Sequence, residues 1–411
     1  MDNPVLQKVR FWLLVFLSIS ITLELSPAFI VVPALSIVIV IMTDRFDLRT
    51  TASRISGVGY FLALIFLIHA VWFVPHIVKT GSTKYLERTL PYLLFPLMLS
   101  SMQLRDEEVR KVLKIFIWSV AVSYVMSIVA AIYHYFYSVP VWGRASDFFF
   151  HDQFTKGLFN IHPTYYSLLG CLATLFAYLQ IKGPGRIVLI GFLTIVIFAI
   201  NAKITFVIQI LLIISFIIHS FSTKFSMKRL IVVVVSIVAM FYVTRVISSI
   251  YDYPHRKLIT NLEDSWTRSY APDISDGDGG IVMRMAIWRS AWTVIKQNYI
   301  FGVGLGFEDR FLVDEYTKQG YAYLAGDAFN AHNQILSYLI GFGITGCALL
   351  GVIYFKLLHA AYLRRARFYF VFVAIFVCAA ITESIFNRLL GVSMFAFFNT
   401  LLVLKIVNHD K

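Results

Sequence analysis

Three ionisable side chains, Lys203, Arg284 and His332, could act together on a charged substrate. Lys203 lies between two apolar runs in FAINAKITFVIQ, whereas Arg284 and His332 belong to a long, more polar segment that ends where the next apolar run begins. A cation beside apolar runs is costly unless it meets an anion, so we expect Lys203 to have a function. Guanidinium and ammonium groups suit a diphosphate, and a histidine can accept the proton of a hydroxyl near neutral pH. These residue types favour transfer of a sugar from a lipid diphosphate to a hydroxyl, with fixed cations in place of Mg²⁺.

Two of these residues also have a structural interpretation. Arg284 could extend from a helix to the membrane interface, and His332 could do no more than hydrogen-bond at a helix start. Asn333 is expected to cap the helix that follows. That helix contains three glycines expected to let it approach its neighbours closely, namely Gly341, Gly343 and Gly346.

The composition predicts the elements that must position these residues. With 59% apolar and 14% charged residues and a mean hydropathy of +0.75, the chain is too apolar for a soluble globular protein. Its long apolar runs predict an all-α, polytopic transmembrane helix bundle of about 12 spans. The predicted spans are 10–25, 27–43, 55–75, 84–101, 112–138, 164–181, 186–200, 203–220, 229–250, 333–355, 367–383 and 390–406.

Basic residues predict how the bundle is oriented. Lys and Arg are enriched in alternate short loops, which places those loops and both termini in the cytoplasm. We therefore divide the chain into spans 1 to 9 (1–250), one large periplasmic loop (251–332) and spans 10 to 12 (333–411). An amphipathic helix is predicted near 281–298, lying in the membrane interface. Its apolar stripe consists of Ile281, Met285, Trp288, Trp292 and Ile295.

Other motifs do not indicate a cofactor or a metal. FGVGLGF (301–307) lacks a Walker lysine and a strand before it, so we interpret it as a turn at the membrane surface. DISDGDGG lacks the register of a calcium loop, and the histidines lack the spacing of zinc ligands. The three cysteines lie in apolar runs without CxxC spacing. The net charge of +13 is assigned to topology and anionic lipid rather than to nucleic acid.

Two segments in sequence order resemble a known family. RMAIWRSAWTVIKQNYIFGVGLGF, followed by AHNQILSYLIGFGITG, resembles the signature of the O-antigen ligase and O-antigen polymerase membrane proteins. HPTYYSLL (162–169) and TESIFNRLLGVSMFAFFNTLL (382–402) are also similar to segments of that family. The resemblance implies a metal-independent, inverting glycosyltransferase at the periplasmic face of a bacterial inner membrane. Its substrates would be a polyprenyl-diphosphate-linked glycan donor and a lipid A-core or glycan acceptor.

The resemblance also implies roles for individual residues. Arg284 matches the loop arginine that binds diphosphate, and His332 matches the histidine proposed to activate the acceptor. A second family arginine is replaced by Lys203, which keeps the charge but loses the planar fork. Further substrate-binding residues are expected on the same face, namely Asn333, His162, Tyr165, Trp288, Arg289 and Arg388.

Two alternatives stay open at the level of sequence. A polymerase of the same family would need the same cations and base, and the compact motif pattern favours a ligase only slightly. A lipid-linked oligosaccharide flippase would also fit twelve spans. A transporter, however, is expected to place its ionisable groups near mid-membrane and to have related halves. This sequence instead collects such groups at one surface, beside a long loop.

Overall fold

Helices form the regular structure of the computed structural model, which describes residues 4–43, 58–76, 83–102, 104–138, 148–221, 262–275, 280–363 and 365–409. No strand occurs in these ranges, in agreement with the expected all-α class. The helices before residue 222 are α1 (Pro4–Thr22), α2 (Ala28–Thr43), α3 (Val58–Phe73), α4 (Lys84–Thr89), α5 (Pro91–Ser101), α6 (Asp106–Tyr137), α7 (His151–Lys156), α8 (Pro163–Gln180), α9 (Pro184–Ile200) and α10 (Lys203–Phe221). The later helices are α11 (Leu262–Arg268), α12 (Gly280–Gln297), α13 (Glu308–Lys318), α14 (Ala322–Gly326), α15 (Gln334–Leu363), α16 (Arg367–Ala380) and α17 (Leu389–His409). Short 3₁₀ turns at Val74–His76 and Ile385–Asn387 follow α3 and α16.

The predicted spans correspond to helices wherever the structure describes them. The span predicted at 84–101 is divided into α4 and α5 by a break before Pro91, where proline removes a backbone donor. The span predicted at 229–250 lies outside the described residues. Within the described ranges, α6 (32 residues) and α15 (30 residues) are long and apolar enough to cross a membrane by length and composition. The count of twelve spans and their orientation stay predictions.

One continuous apolar core joins the helices of the bundle. Phe398 of α17 belongs to this core, and its ring centroid lies 4.5 Å from that of Phe116 in α6 and 5.0 Å from that of Phe176 in α8. Large apolar side chains on the outside of the same helices are strongly exposed, for example Val129 (61%) and Ile187 (72%). Helices in lipid can expose apolar side chains on the outer face of the bundle as well as bury them in its core, because lipid tails are themselves apolar.

The large loop has a second, smaller core of its own. Helix α12 buries Val282, Ala286 and Val294 against Leu312 and Tyr316 of α13. The stripe predicted from the sequence lies on a neighbouring face of α12. Its members Ile281, Met285 and Trp288 are half-buried, Trp292 is 47% exposed, and Ile295 belongs to the loop core. The helix predicted near 281–298 is confirmed, and its contact with the membrane interface stays a prediction.

Helix α15 is interrupted at Gly343, whose φ of 64° is left-handed. The FGVGLGF segment lies directly against this break. The Val303 N–H donates to the Ile340 carbonyl at 2.7 Å, and the Ile344 N–H donates to the Tyr299 carbonyl at 2.9 Å. The turn predicted for FGVGLGF is thus confirmed, and its partner is a broken helix.

The three glycines of α15 differ in what surrounds them. A Cβ on Gly343 would collide with the Ile300 carbonyl oxygen, and one on Gly341 would lie 2.8 Å from Glu308 Oε1. The predicted close approach is therefore confirmed at these two positions. At Gly346 the crowding comes instead from the ring of Phe342 in the same helix.

Candidate active site

His332 lies in the turn that ends the large loop. Its φ of 42° is left-handed, a conformation that is uncommon for residues other than glycine, although asparagine, aspartate and histidine adopt it more often than the rest. Asn330 stabilises the turn, because its Oδ1 accepts the His332 N–H at 2.9 Å. The next residue, Asn333, caps α15: its Oδ1 accepts the N–H groups of Ile335 at 2.9 Å and Leu336 at 3.1 Å. The cap predicted at Asn333 is confirmed.

Glu383, which the sequence did not single out, contacts the His332 ring. The two carboxylate oxygens of Glu383 lie 3.3 and 3.4 Å from His332 Nδ1. The exposed fractions of the side chains are 6% for Glu383 and 21% for His332, so the pair is shielded. Burial alone would raise the pKa of Glu383, but the hydrogen bond and charge of His332, followed by the charges of His162 and Arg284, lower this pKa to about 2. Glu383 is therefore ionised at neutral pH.

Glu383 could have been found from the sequence by the rule that singled out Lys203. It ends an apolar run in TESIFNR, where a charged group is costly unless it is paired. What the sequence could not supply is the partner, since Glu383 and His332 are 51 residues apart.

Hydrogen bonds fix the segment after Glu383 against the start of α15. The Asn333 N–H donates to Ser384 Oγ at 3.2 Å, and the hydroxyls of Ser337 and Ser384 are 2.9 Å apart. The Phe386 N–H donates to Gln334 Oε1 at 2.7 Å. The carboxylate and the imidazole are thus attached to one hydrogen-bonded unit rather than to two independent loops.

His162 is the N-cap of α8 and directly precedes Pro163, the first residue of that helix. Its Nδ1 accepts the Thr164 N–H at 3.4 Å. Burial lowers the pKa of His162 to about 4, although the charge of Glu383 acts in the opposite direction. His162 is therefore a neutral imidazole at pH 7, and it lies close enough to Glu383 for the carboxylate to influence its pKa.

Tyr165 and Arg388 complete this side of the site. The Tyr165 hydroxyl donates to the carbonyl oxygens of Ser384 (3.2 Å) and Ile385 (3.1 Å). The Arg388 guanidinium lies over the Tyr165 ring, 5.5 Å from its centroid. Arg388 is exposed, whereas Tyr165 is buried. Tyr165 therefore joins α8 to the Glu383 segment, and Arg388 presents a positive charge at the same end of the bundle.

Helix α12 approaches the site from the large loop. The Trp288 indole N–H donates to the Ala331 carbonyl at 3.1 Å and so holds the residue before His332. Arg284, one turn earlier, is half-buried, and its charge contributes to the low pKa of Glu383. The structure thus brings Arg284 into electrostatic range of the histidine–carboxylate pair.

Lys203 is the first residue of α10, and its side chain is exposed. The hydroxyls of Thr205 in α10 and Ser167 in α8 are 2.7 Å apart, so both helices begin at the same end of the bundle. Lys203 therefore lies at the same end as His162.

Arg289 is placed differently from the other predicted site residues. It stacks on Tyr270, 3.6 Å from the ring centroid, and donates to the Ser269 carbonyl at 2.8 Å. These contacts lie within the large loop, where Arg289 connects α12 to the residues that follow α11.

Two further charged residues at this end were not predicted as site residues. Arg88 of α4 donates to the Asn387 carbonyl at 2.9 Å. Glu24, in the turn between α1 and α2, has its pKa raised by burial, an effect that the charge of Arg388 opposes. Neither belongs to a recognisable motif, and only the packing of the helices brings them towards Asn387 and Arg388.

Comparison with known proteins bears on the same residues. Residues 188–351 match the family model described as O-antigen ligase. The match supports membership of the O-antigen ligase family. The matched O-antigen ligase segment contains Lys203, Arg284 and His332, and ends before Glu383. No curated protein matches the chain.

The O-antigen ligase match agrees with the resemblance seen in the sequence. The family is associated with glycan ligases and polymerases in lipopolysaccharide synthesis, and it implies lipid-linked glycan substrates. Together with the apolar helices, it supports a membrane protein.

Proposed function

We propose that the protein is an O-antigen ligase-type glycosyltransferase. It moves a glycan from a polyprenyl-diphosphate carrier to a hydroxyl of a lipid A-core sugar, at the periplasmic face of a bacterial inner membrane. The observation that carries the proposal is the imidazole of His332, which contacts a buried carboxylate at 3.3 Å, and this carboxylate lies in electrostatic range of Arg284. An imidazole and a guanidinium are the base and the anion-binding group that the reaction requires.

The proposed reaction is a single displacement. The acceptor oxygen attacks the anomeric carbon opposite the diphosphate, so the configuration inverts. The bond from this carbon to the phosphate oxygen breaks, and its electron pair leaves with the diphosphate. His332 accepts the proton of the acceptor hydroxyl, while Arg284 and Lys203 stabilise the charge that grows on the leaving oxygen. Fixed cations in these positions take the part that Mg²⁺ plays in other diphosphate chemistry, so the reaction is proposed to be metal-independent.

The family also contains polymerases, which would use the same groups with a lipid-linked repeat unit as acceptor. The slight preference for a ligase comes from the motif pattern of the sequence. A flippase is less well supported, because His332, Glu383 and Arg388 lie between helices rather than in mid-helix.

Reconstitution with defined substrates tests the proposal. Purified protein in vesicles receives a polyprenyl-diphosphate glycan either with a lipid A-core acceptor or without one. Transfer that requires the core acceptor supports a ligase, and elongation of the carrier-linked glycan without it indicates a polymerase. If neither product forms but the glycan carrier changes leaflet, the protein is a transporter. Excess EDTA is expected to leave transfer intact, and loss of activity that Mg²⁺ restores would contradict metal independence.

Arg284→Ala in the same assay tests the diphosphate role. We expect transfer to fall by about 100-fold or more, because preorganised charge at the leaving group is lost. Lys296→Ala is the matched control, since Lys296 is an exposed cation in the last turn of the same helix. Equal activity of the two variants would remove Arg284 from the mechanism.

A further inference from the structure

We propose that Glu383 is a positioning residue that fixes the tautomer and orientation of the His332 ring and stabilises the imidazolium formed during transfer. This inference rests on the proposed function of His332 as general base. It adds the residue through which that function is controlled, and this residue lies beyond the O-antigen ligase match.

The hydrogen-bonding chemistry of the pair dictates the tautomer. An ionised carboxylate can only accept hydrogen bonds, so the His332 nitrogen facing it, Nδ1, must carry a proton. In the neutral ring the lone pair then resides on Nε2, which becomes the atom that can accept a proton from the acceptor hydroxyl. Without the carboxylate, the two neutral tautomers would compete, and one of them has Nε2 blocked by its own proton.

Glu383 is itself held in place on the side away from the imidazole. The Ser384 N–H donates to Glu383 Oε1 at 3.2 Å, and Ser384 is tied to Asn333 and Ser337 at the start of α15. The imidazole is constrained from its backbone by the Asn330 hydrogen bond. Both partners are thus fixed before substrate binds, which is what a base and its orienting group need.

The electrostatics favour a role during the proton transfer. When Nε2 accepts a proton, the ring becomes a cation that faces a shielded anion, and a charge pair of low exposure is weakly screened by salt. The other charged or titratable groups acting on the pair are His162, the cap of α8, and Arg284 from α12, while Arg388 acts on His162. Arg284 is a cation, so Glu383 supplies a negative charge that offsets it beside the imidazole.

Substitution of the carboxylate gives a direct test. Glu383→Gln keeps the shape of the side chain and an oxygen that can accept from Nδ1, but it removes the charge. We expect kcat to fall by about 100-fold while the donor KM stays within about threefold of wild type, because the loss affects proton transfer rather than donor binding. Glu383→Asp should recover part of the activity lost in Glu383→Ala, since it restores the anion.

The pH profile separates this role from a purely structural one. An anion beside an imidazole favours the protonated ring, so removing it makes the ring harder to protonate. The acid limb of kcat/KM, where protonation of His332 stops transfer, should therefore move to lower pH by about 1 pH unit in Glu383→Gln. Glu315→Gln is the matched control: Glu315 is a buried carboxylate of the large loop that accepts from Gln319 at 2.6 Å. Its acid limb should not move.

A double variant distinguishes failure of this inference from failure of the proposed function. If Glu383 acts through His332, then adding Glu383→Gln to His332→Ala should change the residual activity by less than about twofold. An inactive His332→Ala combined with wild-type kcat and pH profile in Glu383→Gln would overturn the inference and leave the proposed function standing. Wild-type activity in His332→Ala would overturn the general base itself.

Discussion

At the scale of single residues, His332 is placed by its backbone as well as by its carboxylate partner. A left-handed conformation is unfavourable for histidine, and such strained residues persist where the surrounding structure holds them. Here the Asn330 side chain and the Asn333 cap flank the strained residue. The conformation turns the chain out of the loop, and α15 starts two residues later, after the Asn333 cap.

Replacement of His332 by asparagine separates the backbone from the imidazole. Asparagine tolerates the left-handed region, so His332→Asn should fold and insert like the wild type. Transfer should still fall by about 100-fold or more, because the amide cannot act as a base. His332→Ala tests the same loss with added backbone strain. Full activity in a well-folded His332→Asn protein would show that the imidazole has no chemical role.

We expect transfer to require a positive charge at position 203 but not a particular geometry of the charged group. The side chain is exposed at the start of α10, where an ammonium serves phosphate as a point charge. Lys203→Arg should therefore keep much of the transfer activity, whereas Lys203→Ala should lose at least about tenfold. Rates are measured at low salt, where an exposed charge has its largest effect. Equal rates for the two variants would argue against a charge role.

At the scale of elements, the break in α15 and the FGVGLGF segment form one structural unit. A break in a helix leaves carbonyl groups without their usual N–H partners. The Val303 and Gly304 N–H groups donate to two of these carbonyl groups, those of Ile340 (2.7 Å) and Gly341 (3.1 Å). The large loop is thereby anchored to the same helix whose N-terminus follows His332.

Adding a methyl group at the break should loosen this unit. Gly343→Ala places a Cβ against the Ile300 carbonyl in a left-handed conformation, so the variant should lose more than about 1 kcal/mol of stability. Gly351→Ala is the matched control in the same helix, because no atom lies within 4 Å of its added Cβ, and alanine favours helix by up to about 1 kcal/mol. Apparent Tm in detergent is the measurement, and a Gly343→Ala protein as stable as Gly351→Ala would contradict the anchoring role.

At the scale of the whole molecule, local patterns in the sequence predicted far more of the fold than of the site. Apolar runs and their Pro, Gly and Asn boundaries are local, so the helix positions followed from them, including the starts at His162 and Asn333. The partner of a side chain is not local. Glu383 contacts His332 only because the chain returns to the start of α15 after α16. Arg289 instead binds within the large loop, because it stacks on Tyr270 and donates to the Ser269 carbonyl.

The proposed function depends on which end of the bundle faces the periplasm. The candidate site lies at the end where α8, α10 and α15 begin, so this end must face the periplasm. Gly326, the last residue of α14, lies in the large loop, whereas Gly185 is the second residue of α9, next to the end of α8 and at the opposite end of the bundle. Both glycines are exposed, and a Cβ at either would meet nothing within 4 Å.

Cysteine labelling at these two positions tests the sidedness. In a background with Cys171, Cys347 and Cys378 replaced by alanine, Gly326→Cys should react with a membrane-impermeant maleimide in intact spheroplasts. Gly185→Cys should react only after permeabilisation, because the basic loops are retained in the cytoplasm. The two variants act as controls for each other, since both positions are exposed and uncrowded and are predicted to differ in the compartment they face. Labelling of Gly185→Cys in intact cells would place the histidine–carboxylate pair in the cytoplasm and would rule out a periplasmic transfer reaction.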